Sequence, residues 1–431
     1  MPASAPRQRR IAVVGGGWAG LAAAVRAVET DADVVLYEAA AQLGGRARGV
    51  RIDGLELDNG QHILLGAYTR TLALMRTLGV ASDTVLARLP LTLRYPDGRG
   101  LGLPPGGPAW LGCARALAGA RGWTLTERAR LAAAALGWAR ARFRCDARLT
   151  VQALCAGLPA AVRELLIEPL CVAALNTPAR QASAAVLLRV LHDALLGGAG
   201  SSDLLLPRRP LAELLPLPAA RWLAARGATL RLSARVRRIE PQAGRWRVDG
   251  EAYDAVVLAC APSQAAPLAA ASAPDWAATA GAFAYEPIVT VYLRSPGARL
   301  AEPMVALHAG PLAPAQFAFD HGAIGASPGI FAFVVSGARG WVERGLGATA
   351  AAVCAQALAA FGPAAWPGGL ECVRVLADKR ATFRCTPGLV RPAAGIAAGL
   401  VAAGDYVAGP YPATLEGAVR SGEAAVRLLA A

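Results

Sequence analysis

The sequence predicts an α/β protein in which a parallel-sheet domain is interleaved with a mixed-sheet and helical (α+β) domain. Three observations carry this. Residues 11–38 read as strand, glycine turn, helix and second strand. The fully apolar run Ala255-Val256-Val257-Leu258-Ala259 is of the kind a parallel sheet buries on both faces. The chain closes with another apolar strand, Leu400 to Ala403, then Gly404-Asp405 and a helix from about Thr414. Segments of one sheet therefore stand at the start, middle and end of 431 residues, and the second domain is inserted between them. The expected division is 1–82, 205–278 and 395–431 against 83–204 and 279–394.

The first unit is the most specific. Ile11 to Val14 is a strand, Gly15-Gly16-Gly17-Trp18-Ala19-Gly20 a G-x-G-x-x-G turn, and Asp33 to Tyr37 a second strand ending at Glu38. Gly15 lets the chain turn tightly, Gly17 lets a pyrophosphate meet bare backbone, and Gly20 lets the helix pack close to the strand. The helix start, with Trp18 and Ala19, offers N–H groups and a partial positive charge to a diphosphate. Glu38 follows Gly20 by 18 residues, where a carboxylate can accept both ribose hydroxyls. Together these features define a Rossmann-like dinucleotide site.

After Glu38 a glycine-rich loop (Gly44-Gly45-Arg46) leads to a hairpin turning at Asp53-Gly54, then to Asp58-Asn59-Gly60-Gln61-His62 and a helix over about 69–78. A second hairpin turns at Pro96-Asp97-Gly98, and Pro104 to Pro108 marks a crossing between domains. Residues 109–200 read as mostly helical. Thr124 and Glu127 form a capping box for a helix through Ala141. It carries Leu and Ala on one side and Arg128, Arg130, Arg140 and Arg142 along another. This pattern suits either a solvated face or a basic amphipathic helix on a membrane surface. Strands are expected at 229–232, 234–239, 245–248, 253–259, 288–293, 330–335 and 373–376, with a helix at 342–361.

Composition narrows the function. The net charge of +14 is carried by arginine, since Lys379 is the only lysine, and the arginines are scattered rather than clustered with aromatics. That argues against nucleic acid and leaves peripheral contact with anionic lipid open. Eight cysteines show no C-x-x-C pair and no metal-like spacing, so no metal site is expected. Arg7, Arg9 and Arg10 ahead of Ile11 mimic a signal peptide, but the apolar part is the first strand of the nucleotide site, and a cytoplasmic location is expected.

The C-terminal segment decides between cofactors. Gly404-Asp405, with a helix starting near Thr414-Leu415, brings a carboxylate and another helix N-terminus to the site. An NAD dehydrogenase does not need this. A cofactor with a ribityl chain and a flavin ring does, because Asp405 can bind ribityl or diphosphate oxygens and the helix start stabilises an anionic reduced ring. FAD, held non-covalently, is the expected cofactor; Cys385 has no surrounding signature for covalent attachment.

These residues, together with the strands around Val236 and the tail Ala413 to Gly422, resemble the flavin amine oxidase and phytoene desaturase superfamily over nearly the whole chain. Within it, residues 58–62, Lys379-Arg380-Ala381-Thr382-Phe383 and Thr386-Pro387-Gly388 resemble the hydroxysqualene dehydroxylases of bacterial hopanoid synthesis. The resemblance implies that Gly45 and Arg46 contact the diphosphate, that Val236 meets the adenine side through its backbone, and that Asp405, Thr414 and Leu415 hold ribityl and ring. It also implies a polyprenoid substrate, reductive loss of a hydroxyl, and reduced FAD as electron donor. Such chemistry needs an apolar tunnel and one acid. His62 is the first candidate for the acid, with Lys379 and Arg380 as further candidates on a segment that borders the substrate in relatives. An oxidative carotenoid desaturase, an amine oxidase, a flavin-free lipid carrier and an NAD-dependent dehydrogenase remain alternatives. Oligomeric state is not legible.

Overall fold

The computed structural model describes residues 8–52, 54–106 and 109–430. Its central sheet has six strands in the order Thr229–Arg231, Asp33–Tyr37, Arg10–Val14, Ala255–Leu258, Leu400–Ala402, Gly395–Ala397. All neighbours are parallel except the last pair. Ile11 pairs with Ala255 and Val14 with Leu258, so the first apolar run lies directly beside the middle one. Both are buried along nearly their whole length, which is why they read as unbroken apolar runs rather than alternating ones. The segment starting at Ile11, expected to be a strand rather than a leader, is one; Arg7 lies outside the described residues, as do Asp53 of the first hairpin turn and 107–108 of the expected crossing.

Two helices, Trp18–Val28 and Leu415–Ala430, pack against each other over the sheet. Their approach is close enough that a Cβ on Gly422 would lie 2.2 Å from the Ala19 carbonyl oxygen. A second sheet, wholly antiparallel, runs in the order Met304–Ala306, Phe317–Asp320, Ile330–Val335, Tyr285–Arg294, Glu371–Phe383. Behind it the Leu346–Phe361 helix adds Val353 and Ala357 to a core containing Phe331, Phe333 and Trp366.

Four local expectations differ from the structure. The strand expected at 253–259 divides at Asp254: Tyr253 ends a strand of a separate antiparallel sheet and Ala255 begins one of the central sheet. Residues 234–238 form no strand: Ser233 turns with φ +54°, and the chain crosses to a separate antiparallel sheet beginning at Ile239–Gln242. The helix expected over 342–361 breaks at Gly345, where φ is +98°, into Arg339–Arg344 and Leu346–Phe361. The strand expected at 373–376 extends over Glu371–Phe383, because it pairs along the full length of Tyr285–Arg294.

Candidate active site

A cavity of about 1070 Å³ lies between the two sheets. One end is built by glycine loops. Gly15, with φ +117°, donates its N–H to the Tyr37 carbonyl at 2.7 Å, turning the chain out of the first strand. Gly44 donates to the Gly16 carbonyl at 2.9 Å, so the second glycine loop is laid against the first. A Cβ on Gly45 would come within 3.2 Å of Gly17 Cα; the bare backbone of both residues faces the cavity instead. Gly20 is not on the wall: a Cβ there would meet the Gly15 carbonyl oxygen at 1.8 Å, so its part is to let helix and turn touch.

Glu38 is held in place by backbone. Its two carboxylate oxygens accept the Gly16 and Ala40 N–H groups, each at 2.7 Å. Trp18 and Ala19 line the cavity, and the Trp18 indole donates to the Ala47 carbonyl at 3.1 Å. Val236 lies on the same side, in the segment that crosses between sheets.

The C-terminal segment closes the other flank. Asp405, Thr414 and Leu415 line the cavity, and Ala413 adopts φ +55° at the turn into the last helix. Thr414 caps that helix, its hydroxyl accepting the Gly417 N–H at 2.9 Å. Arg46 reaches across: its guanidinium lies 2.5 Å from Asp405 and donates to the Ala381 carbonyl at 2.9 Å. All the residues singled out for the cofactor except Gly20 therefore share one wall system.

Among the catalytic candidates, His62 lines the cavity. Its Nδ1–H donates to the Gly60 carbonyl at 2.8 Å, leaving Nε2 to exchange a proton. Burial pushes its pKa below the ordinary value, and Arg46 acts in the same direction, while the Gly60 bond and Asp378 oppose them. Lys379 and Arg380 are exposed and absent from the wall. Arg380 donates instead to Ser263 Oγ at 3.1 Å. Their neighbour Asp378 lines the cavity; the pairing is irregular just beyond it, Asp378 standing opposite Ile288 and Thr382 opposite Glu286, so Lys379 and Arg380 lie at a bulge. The two hairpin phenylalanines Phe317 and Phe319, with Ile63, Val172, Ile288, Val334 and Leu376, add apolar lining, interspersed with the polar Gln61, Asn176, Ser336 and Thr382. The sequence marks neither Asp378, set beside a pairing irregularity, nor the phenylalanines, whose short strand has no local signature.

The site suits a long, partly polar cofactor. Two glycine loops leave backbone bare on the wall, and Arg48 Nε and Tyr406 Oη, both buried on that wall, have no hydrogen-bond partner among the described residues, a costly arrangement unless a bound group supplies one. The volume stands at the upper limit for a single small ligand, leaving room for a substrate beside a cofactor.

The sequence model of the flavin-containing amine oxidoreductases matches residues 18–430. The chain belongs to this family. It is an FAD-dependent oxidoreductase, and Gly15, Gly17, Glu38, Arg46 and Asp405 stand where such a cofactor can be held. The hydroxysqualene dehydroxylase of Sinorhizobium fredii is 29% identical over 97% of this chain and 98% of its own length. That of Rhodopseudomonas palustris is 29% identical over 98% and 99%. Among solved structures, a putrescine oxidase redesigned in cofactor binding superposes with a TM-score of 0.74, at 17% identity, over 98% of this chain and 99% of that one. The likeness in fold thus extends over 98% of the chain.

Proposed function

We propose that this oxidoreductase removes the hydroxyl of hydroxysqualene reductively, giving squalene in a hopanoid-type pathway. The observation that carries the reading is the apolar share of the lining: beyond the glycine loops, Phe317, Phe319, Ile288, Val172 and Leu376 line the cavity and suit a hydrocarbon chain. The two full-length relatives named above support the same substrate class.

Within this reading, Gly15, Gly17, Trp18, Ala19, Gly45 and Arg46 hold the diphosphate of FAD, Glu38 the ribose, Val236 the adenine side, and Asp405, Thr414 and Leu415 the ribityl chain and ring. The segments 1–82, 205–278 and 395–431 form the cofactor domain, and 83–204 and 279–394 the substrate domain. FAD, when bound and reduced, supplies a hydride equivalent. The rest falls to the protein. His62 carries a proton on Nε2 and delivers it to the substrate hydroxyl, which leaves as water. Phe317 and Phe319 present π-faces to the allylic cation left behind. With the hydride equivalent that bound, reduced FAD would supply, one allylic alcohol and one proton would give one polyene hydrocarbon, with its double-bond count unchanged, and one water.

The test is anaerobic incubation of pre-reduced, FAD-loaded enzyme with hydroxysqualene and, separately, with phytoene. Squalene formation with matching loss of reduced flavin is expected. Turnover of phytoene alone, by oxidised enzyme, ends this reading in favour of a desaturase.

A further inference from the structure

The Leu125–Arg140 helix carries its apolar residues on two faces. Leu131 is buried, with Ala134 and Trp138 packed beside it against the core. Leu125, Ala129, Ala133 and Leu136 recur at three- and four-residue spacing on the opposite, outward face. Leu125 is 81% exposed and Leu136 56%. The helix packed against it, Ala109–Ala118, exposes 67% of Trp110. A solvated helix face is polar; this one is not.

Charge surrounds it. Residues 109–150 hold eight arginines and two acids, Glu127 and Asp146. Arg128 is tied to the Ala118 and Trp123 carbonyls. Arg115, Arg121, Arg130, Arg140, Arg142, Arg144 and Arg148 are exposed, and none pairs with a carboxylate among the described residues. Among the described residues no helix is long and apolar enough to cross a membrane.

We propose that this face docks on the surface of an anionic lipid bilayer, Trp110, Leu125 and Leu136 entering the headgroup boundary and the arginines meeting lipid phosphates. A second copy of the chain fits the same patch poorly, because a two-fold contact brings like patches together and would set the unpaired arginines against their own copies. A nucleic acid would match the charge and leave the leucines exposed. An anionic bilayer satisfies both halves of the surface at once. The proposal does not depend on which polyprenoid the enzyme reduces.

The experiment is co-sedimentation of the full-length, FAD-loaded protein with vesicles of phosphatidylcholine alone or mixed equally with phosphatidylglycerol. Two double variants are compared, Leu125→Ser with Leu136→Ser and Arg130→Glu with Arg140→Glu, each first checked for unchanged flavin content and unfolding temperature. Binding to the anionic vesicles at least tenfold tighter than to neutral ones is expected, with a further loss of tenfold or more in the arginine variant and several-fold in the leucine variant. Raising salt weakens the wild-type binding. Absence of binding to anionic vesicles, equal binding to neutral ones, or wild-type binding by the leucine variant overturns the proposal. So does a wild-type dimer in sedimentation velocity that the leucine variant dissolves, since a second copy then covers the face.

Discussion

Arg46 and Asp405 meet on the cavity wall, a guanidinium nitrogen 2.5 Å from a carboxylate oxygen, across 359 positions of sequence. The pair joins the second glycine loop to the segment that follows the Leu400–Ala402 strand, and Arg46 extends the link to the antiparallel sheet through the Ala381 carbonyl. Asp405 is nearly buried, with 8% of its side chain exposed, so it is poorly solvated without a partner. Asp405→Ala and Arg46→Ala are each expected to weaken FAD retention by about 1.5–3 kcal/mol, the worth of a charge-assisted hydrogen bond. The double variant should lose less than the sum, because each single change also strands the other charge. Flavin absorbance per mole of purified protein, followed through dilution, measures this. Full flavin content in both single variants would contradict the assignment of this wall to the cofactor.

His62 makes the proposed reaction pH-dependent in a defined direction. Burial disfavours its charged form, so the imidazolium needed for proton delivery exists only below a pKa that lies under the ordinary 6.5. The rate of dehydroxylation by pre-reduced enzyme should therefore rise as pH falls through that region. His62→Gln should abolish that rise and slow the reaction by about 10²–10⁴-fold, the usual worth of a positioned acid. Single-turnover rates against pH are the measurement. A variant that keeps the wild-type profile assigns the acid to another group.

Much of the cofactor end was legible because its signals are local or strongly apolar. The Gly15-to-Gly20 spacing, Glu38 and Gly404-Asp405 each announce themselves within a few residues, and the buried strands beside them have no polar interruptions. The substrate end was less legible because antiparallel pairing assembles it from a distance. Phe317 and Phe319 reach the wall from a four-residue strand that pairs with 330–335, and nothing in 310–320 alone marks it. Lys379 stands out as the only lysine, yet it is exposed at an irregularity of the strand pairing while Asp378 lines the cavity.

Asp58 offers a stability test separate from catalysis. Burial raises its pKa to about 7, opposed by the 2.9 Å bond it accepts from the Leu211 N–H. The folded state thus keeps the proton to about pH 7, whereas an unfolded chain releases it near 3.8. The native state therefore carries a penalty that grows as pH rises from 3.8 to 7 and is complete above. Asp58→Asn retains an acceptor for Leu211 and carries no charge. It should stabilise the protein by roughly 1–4 kcal/mol at pH 8, with the gain shrinking toward pH 5. Urea unfolding at the two pH values decides it; a gain independent of pH would show that ionisation of Asp58 is not the cause.

Glu416 ties the last helix to the helix Thr69–Thr77 and is fully buried. Its carboxylate accepts the Arg70 N–H at 3.0 Å, the Thr71 N–H at 2.9 Å and the Thr71 hydroxyl at 2.7 Å, and Arg420 of its own helix neutralises it at 2.7 Å. The N-terminus of one helix is thus capped by a side chain 345 positions away, placed at the start of another. Glu416→Ala removes every acceptor at once and leaves the orphan N–H groups and the Arg420 charge without partners, so a loss of about 3–5 kcal/mol is expected. Glu416→Gln keeps one amide oxygen and should lose clearly less. The two variants are compared by chemical unfolding with FAD in excess. An alanine variant as stable as wild type would mean that water replaces the cap, which burial of the Glu416 side chain argues against.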